Sequence, residues 1–179
     1  MKNKIISLIL IFFLSLSFKL QADENNWKPA IGGDKIIMIR HALAPGSGDP
    51  YGFKIDDCST QRNLDEVGIN QSKNIGKLFK EKNIKIDQVL SSQWCRCKDT
   101  AKYAFKNYKE FSALNSTFST PNDKKEKQQI KELRNFAQKW DGKGGNLVLV
   151  THYVVILAMT GHAPSSGEIV ITDKKFNVL

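Results

Sequence analysis

The chain has 179 residues, of which 41% are hydrophobic and 25% charged, with a formal net charge of +9 at pH 7. This apolar content excludes a disordered polymer, and the length suits one domain with its own core. The basic excess carries no nucleic-acid signature: Lys124, Lys125, Lys127 and Lys131 share a predicted helix with Glu126 and Glu132, and aromatics are not interleaved with the basic residues.

Lys2 and Lys4 precede an uncharged apolar stretch from Ile5 to Phe18, then Lys19-Leu20-Gln21-Ala22. Residues 1–22 read as a secretory signal peptide, because the apolar stretch is shorter than the roughly 20 residues of a membrane span. A periplasmic or secreted protein, with no stable membrane insertion after cleavage, is expected. Residues 23–33 read as a polar lead containing Trp27, and residues 34–179 as a single domain.

Gly32-Gly33 turns into a first strand, Lys35–Arg40. The loop after it, Ala42–Thr60, is long and rich in Gly, Pro and Asp, the mark of a functional loop, and Gly46-Ser47-Gly48 is placed to line a pocket. Asn63 is the expected cap of the next helix, with Glu66 three residues on and Leu64, Val67, Ile75, Leu78 and Phe79 on its apolar face. A second strand is predicted over Ile86–Ser91, a helix over Trp94–Tyr108 and a further strand over Phe111–Phe118. Thr120-Pro121 opens a third helix whose core face is Ile130, Leu133, Phe136, Ala137 and Trp140. After the breaker Asp141–Gly145 come a strand over Asn146–Thr151, an apolar helix over Tyr153–Thr160 and a last strand over Glu168–Thr172. Gly142-Lys143-Gly144-Gly145 precedes a strand, where a phosphate loop follows one, and reads as a turn. This alternation predicts an α/β fold, a three-layer α/β/α sandwich with a mainly parallel central sheet.

The chemistry gathers at strand ends. Ile36-Ile37-Met38-Ile39 runs into Arg40-His41, Val89-Leu90 into Ser91-Ser92 and then Arg96, and Leu147-Val148-Leu149-Val150 into Thr151-His152. In an open α/β sheet the ligand crevice lies beyond the carboxyl ends of the strands, so two histidines and two arginines meet there. The third histidine, His162, lies in a turn and reads as an ordinary loop residue. Cys58, Cys95 and Cys97 form an odd set, and in an exported chain a disulfide from Cys58 to either of the other two is expected. Cys95-x-Cys97 lacks the spacing of a zinc pair, so neither a metal nor another cofactor is expected.

Arg40-His41, the Arg-x-Leu-x-x-x-Gly pattern of residues 62–68, the Ser-Ser-x-x-x-Arg-x-x-x-Thr-Ala pattern of residues 91–101, and Thr151-His152 together resemble the histidine phosphatase superfamily, also called phosphoglycerate mutase-like. The likeness spans Lys35 to about Ile171, and the short form resembles a small exported bacterial branch. It implies a metal-independent phosphomonoesterase in which His41 becomes a phosphohistidine, with Arg40, Arg96 and His152 catalytic and Arg62 and Thr151 binding the phosphate of a small phosphorylated substrate. The alternatives are a phosphohistidine phosphatase and a non-catalytic module that binds phosphorylated ligands. The chain departs from the family pattern at three places: Ala42 follows His41 where Gly is usual, Tyr153 follows His152 where one branch has an acid, and Leu114-Asn115-Ser116 has Ser where another has Glu. The proton donor is left open among Asp49, Asp56, Asp57 and Glu168.

Overall fold

The computed structural model describes residues 24–118 and 124–179, so the leader read over residues 1–22 and the Thr120-Pro121 helix cap lie outside the described residues. The strands are β1 (Ile36–Arg40), β2 (Ile86–Ser91), β3 (Lys109–Glu110), β4 (Asn146–Thr151) and β5 (Ile169–Thr172), and the helices are α1 (Glu24–Ile31), α2 (Glu66–Glu81), α3 (Cys95–Phe105), α4 (Lys124–Lys139) and α5 (Tyr153–Thr160). The sheet order is β3-β2-β4-β1-β5. All pairings are parallel except β1 with β5.

Side-chain alternation builds two cores from the same strands. Ile36, Met38, Leu147 and Leu149 point to the face covered by α4 and α5, where Leu133, Ala137 and Ile156 meet them. Ile37, Ile39, Val148 and Val150 point to the other face, against Ile75 and Phe79 of α2 and Ala101 of α3. Both faces are covered, which is why β1 and β4 are unbroken apolar runs.

Four local expectations change. The polar lead contains helix α1, which buries Trp27 and Ala30 and sets the Trp27 ring edge-on to Phe79 at 5.5 Å. The burial of one large aromatic outweighs a short helix with a proline inside it. The cap of α2 is Asp65, whose carboxylate accepts from Gly68 N–H at 2.8 Å; Asn63 instead donates its side-chain amide to Cys58 O at 2.6 Å. Val67 is exposed, and the buried stripe of α2 is Gly68, Ser72, Ile75, Gly76 and Phe79. Finally, strand β3 is only Lys109–Glu110, and the chain then makes one 3-10 turn, Ser112–Leu114. It does so because Leu114 is drawn under the end of β4, where its carbonyl accepts the Thr151 hydroxyl at 2.6 Å.

Candidate active site

β1, β2 and β4 lie side by side and end at the same rim, delivering His41, Ser92 and His152. The ladder continues one residue further: His41 N–H donates to Thr151 O and Ser92 N–H to Val150 O, both at 2.9 Å. The two imidazoles therefore leave the sheet on fixed backbone and stand with ring centroids 5.5 Å apart. Each is 3% exposed.

His41 Nδ1 lies 2.8 Å from Ala42 O. A carbonyl can only accept, so Nδ1 carries the hydrogen and Nε2 keeps its lone pair. Burial pushes the His41 pKa down to about 3, with the charges of Arg96, Arg62 and Arg40 acting the same way and the Ala42 bond opposing. Burial, then His41 and the same arginines, also hold His152 well below its ordinary value. His152 Nε2 faces Ser92 Oγ at 2.9 Å and Cys97 Sγ at 3.4 Å, and Trp94 packs edge-on to the ring at 5.3 Å. Both imidazoles are neutral near pH 7, and each is held in one orientation.

Three guanidinium groups surround them. Arg40 donates to Pro164 O at 2.9 Å and lies 5.5 Å over the Tyr153 ring. Arg62 donates its Nε–H to Gly48 O at 2.7 Å and a terminal N–H to Ala44 O. Arg96, 3% exposed, forks both terminal nitrogens onto Asp49, at 2.6 Å to Oδ1 and 3.1 Å to Oδ2. Among the described residues, the Nε–H groups of Arg40 and Arg96 are buried without a partner. Buried unmet donors are costly, at roughly 1–3 kcal/mol each, and an anion brought among them offsets that cost.

Arg40, His41, Asp49, Arg62, Arg96 and His152 all line one cleft of about 420 Å³, with Phe53, Trp94 and Tyr153 as its aromatic walls. A larger hollow of about 870 Å³, lined by Lys73, Lys77, Lys80 and Tyr103, lies elsewhere against α2 and α3. It joins no nucleophile to an anion-binding group, so the smaller cleft is the candidate site.

Thr151 does not belong to it. Thr151 pairs with Arg40 inside the sheet and continues the row of Leu147 and Leu149, so its hydroxyl faces Leu114 O at 2.6 Å. The reading of Thr151 as a phosphate ligand is thereby corrected: it anchors the segment that crosses the strand end. Cys58 is bridged to Cys95, and Cys97 is free and buried, its thiol pushed up to about 12 by burial. The bridge joins the loop that carries Asp49 and Arg62 to the start of the helix that carries Arg96. Of the four acidic candidates, Asp49 alone lines the cleft. Asp57 caps a turn by accepting from Ser59 N–H at 3.1 Å, Asp56 is exposed, and Glu168 pairs with His162 and accepts from Ser165 N–H at 2.7 Å. The aromatic wall at Trp94 and the pairing of Asp49 with Arg96 carried no signal in residue spacing. Their only trace was that Trp94 falls inside the Ser-Ser-to-Arg96 pattern.

No family model matches this chain, and no curated protein matches it by sequence. Solved structures do. The protein histidine phosphatase SixA in complex with tungstate is 14% identical with a TM-score of 0.53, over 81% of this chain and 92% of that one. A mycobacterial glucosyl-3-phosphoglycerate phosphatase in complex with VO3 is 12% identical with a TM-score of 0.53, over 77% and 92%. Phosphoglycerate mutase from Plasmodium falciparum is 18% identical with a TM-score of 0.51, over 82% and 87%. The chain therefore has a phosphoglycerate mutase-like fold. At these identities the likeness is one of fold, and the chemistry rests on the cleft itself.

Proposed function

We propose that the protein is an exported phosphomonoesterase that acts through a phosphohistidine on His41. The observation that carries this is the His41–Ala42 hydrogen bond at 2.8 Å, which leaves a neutral Nε2 lone pair in a cleft lined by Arg40, Arg62 and Arg96. A neutral imidazole attacks phosphorus readily, and forming a covalent intermediate divides one displacement into two easier ones. The guanidinium groups bind the non-reacting oxygens and stabilise charge as it shifts in the transition state. Nδ1–H stays on Ala42 O throughout, so the ring loses no proton on attack and becomes cationic, which makes it a good leaving group for water in the second step. His152, with Nε2 engaged by Ser92, presents its other ring edge to the cleft and steadies the transferring group.

The phosphatases and the mutase that share the fold support this reading, as does the choice of anion in two of them. The apolar leader over residues 1–22 and the Cys58–Cys95 disulfide support an oxidising, periplasmic or secreted setting. Phosphate release from nitrophenyl phosphate, phosphohistidine and phosphorylated sugars tests it. The parent is expected to hydrolyse at least one of them and His41→Ala none. Binding of vanadate without hydrolysis of any ester would favour a ligand-binding module instead.

A further inference from the structure

Hydrolysis of an ordinary phosphate ester needs a proton for the departing oxygen, since an alkoxide is a poor leaving group. Among the described residues Asp49 is the acidic residue in the cleft, and its surroundings are specific. Oδ1 accepts from one terminal nitrogen of Arg96 at 2.6 Å, and Oδ2 accepts from the other at 3.1 Å and from Trp94 Nε1 at 3.0 Å. The Arg62 backbone N–H adds a longer contact to Oδ1 at 3.4 Å. The carboxylate thus occupies, fork to fork, the planar pair of donors that two phosphoryl oxygens would use. Arg96 is the most deeply buried of the three cleft arginines and both its terminal nitrogens are on Asp49, so a phosphoryl group that takes those two nitrogens displaces Asp49.

That displacement changes what Asp49 can do. Burial pushes its carboxyl up, but the bonds from Arg96 and Trp94 outweigh burial and hold it below the usual carboxylate range before substrate arrives. The charged groups facing it are Arg96 and Arg62, with Arg40, the imidazoles of His41 and His152 and the phenols of Tyr51 and Tyr153 on the remaining walls of the cleft. A phosphoryl dianion on Arg96 takes away the nearest positive charge and adds a negative one, and both changes raise the proton affinity of the carboxyl.

We propose that Asp49 is the proton donor of the reaction, held on Arg96 in the free protein and released to the leaving oxygen by the incoming phosphoryl group. The proposal rests on the phosphatase reading above. In the first step Asp49, having taken up a proton from solvent as the phosphoryl group displaces it from Arg96, stands protonated while the His41 Nε2 lone pair forms the N–P bond. The P–O ester bond breaks, its electron pair stays on the leaving oxygen, and the Asp49 proton joins that oxygen to give the free alcohol. In the second step a water oxygen bonds to phosphorus, Asp49 takes the water proton, and the N–P electron pair returns to Nε2. Orthophosphate and neutral His41 result, and as orthophosphate leaves, Asp49 returns its proton to solvent and its carboxylate to Arg96.

The test compares Asp49→Asn with the parent on an alkyl phosphate that the parent turns over and on 4-nitrophenyl phosphate. Turnover of the alkyl ester is expected to fall by roughly 10²- to 10⁴-fold, and that of the nitrophenyl ester, whose phenolate leaves without a proton, far less. Orthovanadate is expected to bind the variant more tightly, because no carboxylate competes for Arg96. Asp49→Glu, which keeps the acid one methylene further out, is expected to restore part of the alkyl-ester turnover. A merely structural contact would slow both substrates alike. Equal losses on the two esters, undiminished alkyl-ester turnover or weaker vanadate binding would each overturn the assignment. His41→Ala tells the two readings apart: full turnover without His41 removes the phosphohistidine, whereas a dead His41→Ala beside a substrate-blind Asp49→Asn removes only the role of Asp49.

Discussion

Opening the Cys58–Cys95 bridge, by Cys58→Ser with Cys95→Ser or by reduction, is expected to cost about 4 kcal/mol of stability. The bridge closes a loop with a sequence separation of 37, and the chain-entropy relation for a loop of that size gives this figure. For a domain of this length the loss corresponds to a thermal midpoint roughly 8–16 °C lower. The folded site should suffer much less, because the two sides remain joined without the sulfurs. Cys95 N–H donates to Gln61 Oε1 at 3.0 Å, and Asn63 donates to Cys58 O at 2.6 Å. Arg62 and Arg96 stay tied through Asp49 as well. The assay is urea unfolding followed by tryptophan fluorescence, for the parent with and without dithiothreitol and for the double variant, beside vanadate affinity under native conditions. The expected result is a much lower unfolding midpoint with nearly unchanged affinity. A midpoint unmoved by reductant and by the double substitution would refute the reasoning.

Gly68→Ala should destabilise the protein by about 1–3 kcal/mol even though alanine is the better helix former. A Cβ there would lie 2.0 Å from Leu43 O, a backbone atom two residues beyond His41. Denaturant midpoints check it, and a gain in stability would contradict the close packing. Arg96→Lys should lower turnover on the order of 100- to 1000-fold, because a point charge cannot hold two oxygens in one plane; steady-state kinetics beside vanadate binding read this out. Acid should weaken the fold through the buried imidazoles. Between about pH 3, where folded His41 titrates, and about 6.5, unfolding takes up protons that the folded ring refuses. Stability therefore rises with pH across this window, by about 1.4 kcal/mol per pH unit for His41 and in the same direction for His152. Unfolding free energies of the parent and His41→Gln across that range should differ in slope by this amount, and parallel slopes would contradict it.

What could be read from the residues alone follows from how local each signal is. The runs before Arg40, Ser91 and Thr151 are apolar because both faces of β1, of β4 and of the end of β2 are covered, so strands, order of elements and site rim were legible together. Gly68 was visible as part of a pattern, but its reason, contact with the Leu43 carbonyl, is tertiary. Thr151 was misread because a place at a strand end says nothing about the face, whereas its alternation with Leu147 and Leu149 did contain the answer. The choice between Cys95 and Cys97 was similarly present in helical spacing. Cys97 and Ala101, one turn apart, share the buried face of α3, which leaves Cys95 for the bridge. Asp49 stood among four acids that spacing could not separate, because which of them faces the cleft is set by loop geometry and by a partner 47 residues away.

The central claim is tested most directly by quenching the protein while it is supplied with a phosphate ester and locating the phosphoryl group. The account predicts a labile phosphohistidine on His41, attached at Nε2 and not Nδ1, because Nδ1–H is bonded to Ala42 O. Its amount should fall to nothing in His41→Ala. Turnover with no phosphoryl group on His41, or with the group on Nδ1, would contradict it.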